Sequence, residues 1–246
     1  MTTLVVSGLS KSYGGVQALR DVSFTVGSGE VVALIGPNGA GKTTCFNVLN
    51  GQLQPDGGSV QLDGQPLAGR APRDIWRLGV GRTFQIAATF GSMSARENVQ
   101  MALLSYQRRL ASAFSAFGKL ATAEADALLE RVGMQEQAAK PCAELAYGDL
   151  KRVELAIALA NQPRLLLMDE PTAGMAPEDR AALMHLAGSL ARSDGIAVLF
   201  TEHDMDVVFG HAGRVMVLYS GELIAEGPPA QIQADPRVRE VYLGAA

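Results

Sequence analysis

Apolar and polar positions alternate along this chain in three textures. Residues 4–9, 18–26 and 31–35 read as short strands. The third, Val31-Val32-Ala33-Leu34-Ile35, is apolar without interruption, the pattern of a strand buried on both faces of a parallel sheet covered by helices. A glycine-rich stretch follows it directly, and residues 43–51 then predict a helix ended by Gly51. Residues 57–64 form a hairpin-like piece, with turns at Pro55-Asp56-Gly57 and Asp63-Gly64.

From about residue 86 to 162 the texture changes to Ala, Leu, Glu and Arg at helical spacing, clearest over 97–106, 121–132 and 149–160. Strands return at 165–168, 196–201 and 215–218, with a helix over 177–191 between the first two. Strand, helix, strand predicts a right-handed parallel crossover. Ser220-Gly221 turns the chain back into 222–225, and a polar tail with one helix-like stretch closes it.

Composition narrows the functional classes. The 246 residues are 48% hydrophobic and 19% charged, the balance of an ordinary globular protein with a sizeable core. Twenty-one basic and 25 acidic side chains leave a formal charge of -4, so no general positive field holds nucleic acid, and none is expected as a partner. Two cysteines, Cys45 and Cys142, make no disulfide framework and suit a reducing compartment. The first nine residues lack the pattern of a secretory signal, and every apolar run is interrupted well short of the roughly 18 residues that span a bilayer. Any membrane role is expected to be peripheral.

Candidate chemistry clusters at strand ends. Gly36-Pro37-Asn38-Gly39-Ala40-Gly41-Lys42-Thr43, continued by Thr44, follows the buried strand 31–35 and opens a helix. This is the P-loop pattern, in which backbone amides and a helix N-terminus cradle a polyphosphate. Lys42 is expected to reach the β and γ phosphates of ATP, and Thr43 to ligate Mg²⁺. Cys45, one turn on, is either a thiol acidified by the helix N-terminus or a small buried apolar residue. The strand 165–168 ends in Asp169-Glu170, where Asp169 suits Mg²⁺ and Glu170 suits a general base that polarises the attacking water. His203 follows the strand 196–201 and is expected near the same crevice, against the γ-phosphate or the water. His185 and His211 are assigned no chemistry.

The order of these motifs resembles the nucleotide-binding domain of ATP-binding cassette transporters over essentially the whole chain. The fold it implies is α/β: a P-loop NTPase core with a parallel sheet, an antiparallel β edge subdomain and an inserted helical subdomain. One domain over 1–246 is expected, its core from 1–86 and 163–246, its helical part from 87–162. In that family an aromatic stacks on adenine, which Tyr13 matches, although Tyr13 also reads as a surface strand aromatic. A glutamine that links the subdomains and approaches the metal matches Gln85 in Gly81-Arg82-Thr83-Phe84-Gln85, which also reads as an ordinary polar loop residue. The signature motif matches Leu145-Ala146-Tyr147-Gly148-Asp149, and Ala146, Tyr147 and Gly148 are implied to cap the γ-phosphate held by an opposite subunit.

The resemblance implies an ATP-hydrolysing subunit on the cytoplasmic face of the membrane. Its partners would be integral membrane permease subunits, a second cassette ATPase in a homo- or heterodimer and, indirectly, a solute-binding protein. Within the family the sequence most resembles ATPases of branched-chain amino acid importers. Motors of urea or amide importers and a nucleotide-gated module of low turnover remain alternatives. Two departures bear on the last of these: Ala146 stands where a signature serine is expected, with Leu150 in place of a polar residue, and Ala176 replaces a polar residue after Glu170. A further expectation concerns residues 85–99, where Phe90 and Met93 either receive the membrane subunits or fill the helical subdomain's own core.

Overall fold

A computed structural model describes residues 2–85, 88–108 and 121–243. Among them, six strands form the central sheet in the order β10 (Glu222–Gly227), β9 (Arg214–Tyr219), β3 (Val31–Ile35), β8 (Ala197–Thr201), β7 (Leu165–Asp169) and β6 (Val80–Thr83). The ladders from β9 through β6 are all parallel, and β10 is an antiparallel edge. The expected crossover is present: β7 passes through α6 (Pro177–Asp194) to its parallel neighbour β8.

The uninterrupted apolar strands are explained by what lies on either side of them. Val31, Ala33, Ile35, Leu166, Met168, Val198 and Phe200 face a core built with the helices. Their alternates Val32, Leu34, Leu165, Leu167, Ala197 and Leu199 face a second core shared with the antiparallel sheet and α1 (Lys42–Leu49). A strand with no solvent face needs no polar alternation.

The antiparallel sheet runs β2 (Val16–Gly27), β1 (Thr2–Tyr13), β4 (Gly57–Leu62) and β5 (Gln65–Pro66). Its strands extend well beyond the expected 4–9 and 18–26, because bulges keep β1 and β2 paired out to the Tyr13–Val16 turn. The 57–64 piece is a hairpin through Asp63-Gly64, both left-handed (φ +46° and +78°), as a two-residue turn of that type requires. Its other edge pairs with β1, which places it in this sheet.

The helical insert holds α3 (Ala95–Tyr106), α4 (Thr122–Arg131) and α5 (Tyr147–Leu159). Two starts lie earlier than the apolar spacing indicates. Ser94 and Glu97 form a reciprocal capping box that opens α3 at Ala95, and α5 begins at Tyr147 with Ala146 as an N-cap that offers no side-chain bond. Three elements carry no periodic signal and emerge only in three dimensions: β6, α2 (Pro72–Arg77) and α7 (Met205–His211). The tail forms two short helices, α8 (Pro229–Ala234) and α9 (Pro236–Leu243), rather than one. Ile232 and Val238 bury them against the helical core.

Arg214 ties the start of β9 to the β2–β3 turn. Its guanidinium meets both Glu30 oxygens at 2.7 and 2.8 Å, donates to the Thr25 carbonyl at 2.7 Å and pairs with Glu226. Burial works to raise the Glu30 pKa, but hydrogen bonds from Arg214 and the Gly27 amide outweigh it and hold the carboxyl below its ordinary value. Arg214→Ala should cost about 1–3 kcal/mol, read as a lower urea midpoint at unchanged m-value. A carboxylate with a depressed folded-state pKa stabilises above its unfolded pKa and loses that contribution as pH falls through the folded value. The gap between wild type and Arg214→Ala should therefore narrow below about pH 4.

Candidate functional site

Four adjacent parallel strands end at one edge of the central sheet, and each delivers one part of the site. In spatial order these are the P-loop after β3, His203 after β8, Asp169-Glu170 at the end of β7 and Gln85 just beyond β6. The β7–β8 register sets Asp169 beside Thr201. A crevice of about 170 Å³ is lined by Ala18, the loop from Asn38 through Thr44, Glu170 and His203.

The loop needs its glycines for space as well as conformation. At Gly41 (φ +110°) a Cβ would lie 2.4 Å from the Ala18 carbonyl oxygen, and at Gly36 2.1 Å from that of Leu218. Gly41 is the N-cap of α1, and no side chain caps the helix, so its first-turn amides are left without a side-chain partner. Buried Lys42 folds back to donate to the carbonyls of Gly36 (2.6 Å) and Pro37 (3.2 Å). Burial lowers its pKa, while Glu170 and Asp169 oppose the shift. Cys45 is fully buried and its thiol is pushed up to about 12 by desolvation, so the helix N-terminus does not acidify it.

Glu170 occupies a left-handed backbone conformation (φ +46°), which strains a residue with a side chain and costs on the order of 1–3 kcal/mol. It is held there by its own amide, which donates to the Thr201 carbonyl and hydroxyl at 3.1 Å each. The carboxylate lies between two side chains: Oε2 accepts from Gln85 Nε2 at 2.8 Å, and Oε1 lies 3.0 Å from His203 Nε2. Asp169 is engaged on both oxygens, by the Thr201 hydroxyl at 2.9 Å and by Arg82 Nη2 at 3.2 Å. Arg82 also donates to Asn47 and Gln52, tying α1 to β7.

Not every expected residue joins this cluster. Tyr13 stands exposed at the end of β1, outside the crevice lining. Ala146, Tyr147 and Gly148 open α5 on the insert, and they too are absent from the lining, although the Tyr147 hydroxyl reaches the Gln85 carbonyl at 3.2 Å. Phe90 is 60% exposed and does not fill the insert's core, while Met93 is half-buried. Ile86 lies outside the described residues.

Several supporting residues carry no sequence signal. Thr201 and Arg82 fix the Asp169 carboxylate. Buried Glu202 accepts from the amide and hydroxyl of Thr172 at 2.8 and 2.6 Å, and Arg180 bonds both Asp204 and the Met175 carbonyl. The loops that follow β7 and β8 are thus bound to each other. The only advance sign of Arg82 and Thr201 is their place in the stretches that carry Gln85 and His203.

Comparison with known proteins settles the class. Residues 19–173 match the family described as ABC transporter. The chain belongs to the ATP-binding cassette transporter family. A second family, described as branched-chain amino acid ATP-binding cassette transporter, matches the cassette's residues 222–246. Over 252 aligned residues the cassette is 39% identical to the high-affinity branched-chain amino acid transport ATP-binding protein LivG of Escherichia coli K12, covering 99% of this chain and 98% of that protein. The ADP conformation of an ATP-binding cassette of an ABC transporter superposes with a TM-score of 0.87 at 30% identity, covering 100% of both chains. A dimeric post-hydrolysis cassette bound to ADP and Pi gives 0.77 at 26% identity, covering 92% of this chain and 98% of that one. This cassette is therefore a nucleotide-binding transporter ATPase with an α/β P-loop fold, an antiparallel β subdomain and a helical insert, of the kind that works with membrane permeases. Among the described residues, no helix is long and apolar enough to cross a membrane.

Both thiols of the cassette are buried, and desolvation raises each pKa. Cys45 and Cys142 should resist alkylation by iodoacetamide at pH 8 in the folded protein and react fully in denaturant, as counted by intact mass.

Proposed function

We propose that this cassette energises uptake of branched-chain or other hydrophobic amino acids, docked peripherally on the cytoplasmic side of a membrane permease that receives solute from a binding protein. Support for the solute class comes from LivG, alike over the full length, and from the match of residues 222–246. Exposed Phe90, close to Gln85 in sequence, suits a contact with the permease.

The site favours hydrolysis over nucleotide-gated binding, and the arrangement of Glu170 carries that reading. A module that only binds ATP has no need for a strained carboxylate held between His203 and Gln85 beside a phosphate loop. Lys42, released from the Gly36 and Pro37 carbonyls, would turn to the β and γ phosphates cradled by the loop 36–44 through the amides that follow Pro37, with Tyr13 stacking on adenine. Glu170 would take the proton of the attacking water, while His203 fixes the carboxylate and faces the γ-phosphate.

Thr43, Asp169 and Gln85 offer oxygen donors alone, the set that Mg²⁺ prefers. When bound, Mg²⁺ would neutralise charge developing on the phosphates. Thr201 and Arg82 keep the Asp169 carboxylate oriented for it.

Ala146-Tyr147-Gly148 lies apart from the crevice of its own chain, which supports a site completed by a second cassette. The amides at the start of α5 have no side-chain cap and are open to a γ-phosphate from across the interface. Ala146 and Ala176 each withhold a side-chain contact from that interface. Glu170→Gln should retain ATP binding, lower turnover about 10²-fold or more and accumulate an ATP-bound dimer on gel filtration. Wild-type turnover in this variant removes Glu170 as the base. Lys42→Ala should weaken ATP binding more than about tenfold, measured by titration of a fluorescent nucleotide.

A further inference from the structure

Lys151 and Glu154 lie one turn apart on α5 and are 2% and 3% exposed, among the most deeply buried charged side chains in the described protein. Their ammonium and carboxylate meet at 3.2 Å. A buried ion pair of this kind rarely stabilises more than apolar residues of the same size would, so what else the two groups bind is informative. Lys151 Nζ donates to the carbonyls of Phe84 and Gln85, the latter at 2.9 Å. Glu154 accepts from the Phe84 amide at 2.8 Å and also from the amide of Ala88. The Tyr147 hydroxyl adds a second bond to the Gln85 carbonyl.

Beyond β6 the chain has left its ladder, and its backbone groups need other partners. Side chains of α5 supply them on both sides of Gln85. The side chain of Gln85 then reaches the other way, to Glu170. A continuous path of direct contacts thus runs from the first turn of α5, through Lys151 and Glu154, to the backbone of Phe84 and Gln85 and on to the carboxylate read above as the general base.

We propose that the Lys151–Glu154 pair is a positioning element for hydrolysis: it fixes the peptide of Gln85 to α5, so that the Gln85 side chain keeps its half of the hold on the Glu170 carboxylate. The proposal rests on the reading of Glu170 as the base. Lys151 and Glu154 touch neither nucleotide nor water and act through Gln85.

The test is a double-mutant cycle in the full chain, with kcat and nucleotide Kd measured separately. Lys151→Met should lower kcat about tenfold and leave the Kd of a fluorescent ATP analogue within about twofold, because the P-loop is untouched. Lys151→Arg, which keeps the charge and carbonyl donors, should recover most of the loss. In a Gln85→Ala background, where kcat is already low, Lys151→Met should change it less than about twofold. If Lys151→Met does not fold, Glu154→Gln carries the same cycle, since it keeps an acceptor for the two amides and gives up the charge that holds Lys151. An equal loss with and without Gln85, a matching loss of nucleotide affinity, or no loss from Gln85→Ala itself would each overturn the proposal. Failure of Glu170 as the base is distinguished by Glu170→Gln, which would then keep its turnover while the cycle still reports coupling between Lys151 and Gln85.

Discussion

The parallel ladder of β3, β8, β7 and β6 is the constraint on which the rest of the molecule depends. Parallel neighbours finish at the same edge of the sheet, so four segments remote in sequence deliver the phosphate loop, His203, Asp169-Glu170 and Gln85 side by side. The ladder is available because both faces of the sheet are covered, by the helices on one side and the antiparallel sheet on the other. Burial of the alternating apolar sets fixes strand register. Register then fixes which polar residues meet at the carboxyl edge, as with Asp169 opposite Thr201.

At that edge opposite charges meet. Two carboxylates, Asp169 and Glu170, face the cations of Lys42 and Arg82, and the His203 ring contacts Glu170. Each carboxylate is pinned from two directions, and Glu170 is held in a backbone conformation that a side-chain-bearing residue rarely adopts. Such preorganisation is costly to folding and useful to hydrolysis, since little has to reorient when ATP arrives. Lys42 is the exception: it donates to its own loop's carbonyls, and in the role proposed above it would turn toward the nucleotide.

Much of this is legible in the sequence because the physics is local. An apolar run of four or five residues, 31–35 before a glycine-rich loop or 165–168 before Asp169-Glu170, already implies a buried strand that ends in a crevice. The helical texture of the middle block and the Asp63-Gly64 turn are equally local. What escapes is set by tertiary partners. Val80-Gly81-Arg82-Thr83 has no periodicity and becomes a strand because β7 offers an edge. The full lengths of β1 and β2 depend on pairing with bulges. Arg82, Thr201, Lys151 and Glu154 have meaning only through the groups they touch across 30 to 90 residues of sequence. The fate of Cys45 turns on complete burial, which outweighs the helix N-terminus beside it.

The starts of α1 and α5 both lack a side-chain cap, and residues 146–148 do not line their own chain's crevice, so the two sets of amides proposed above to bind phosphate lie in separate places. The central claim is that two cassettes complete each other's sites. Steady-state phosphate release at saturating ATP, measured against protein concentration, tests it most directly. Turnover per chain should rise with concentration and level off once dimers predominate. A turnover per chain that stays constant down to concentrations at which the protein sediments as a monomer, with ATP still bound, would contradict the account.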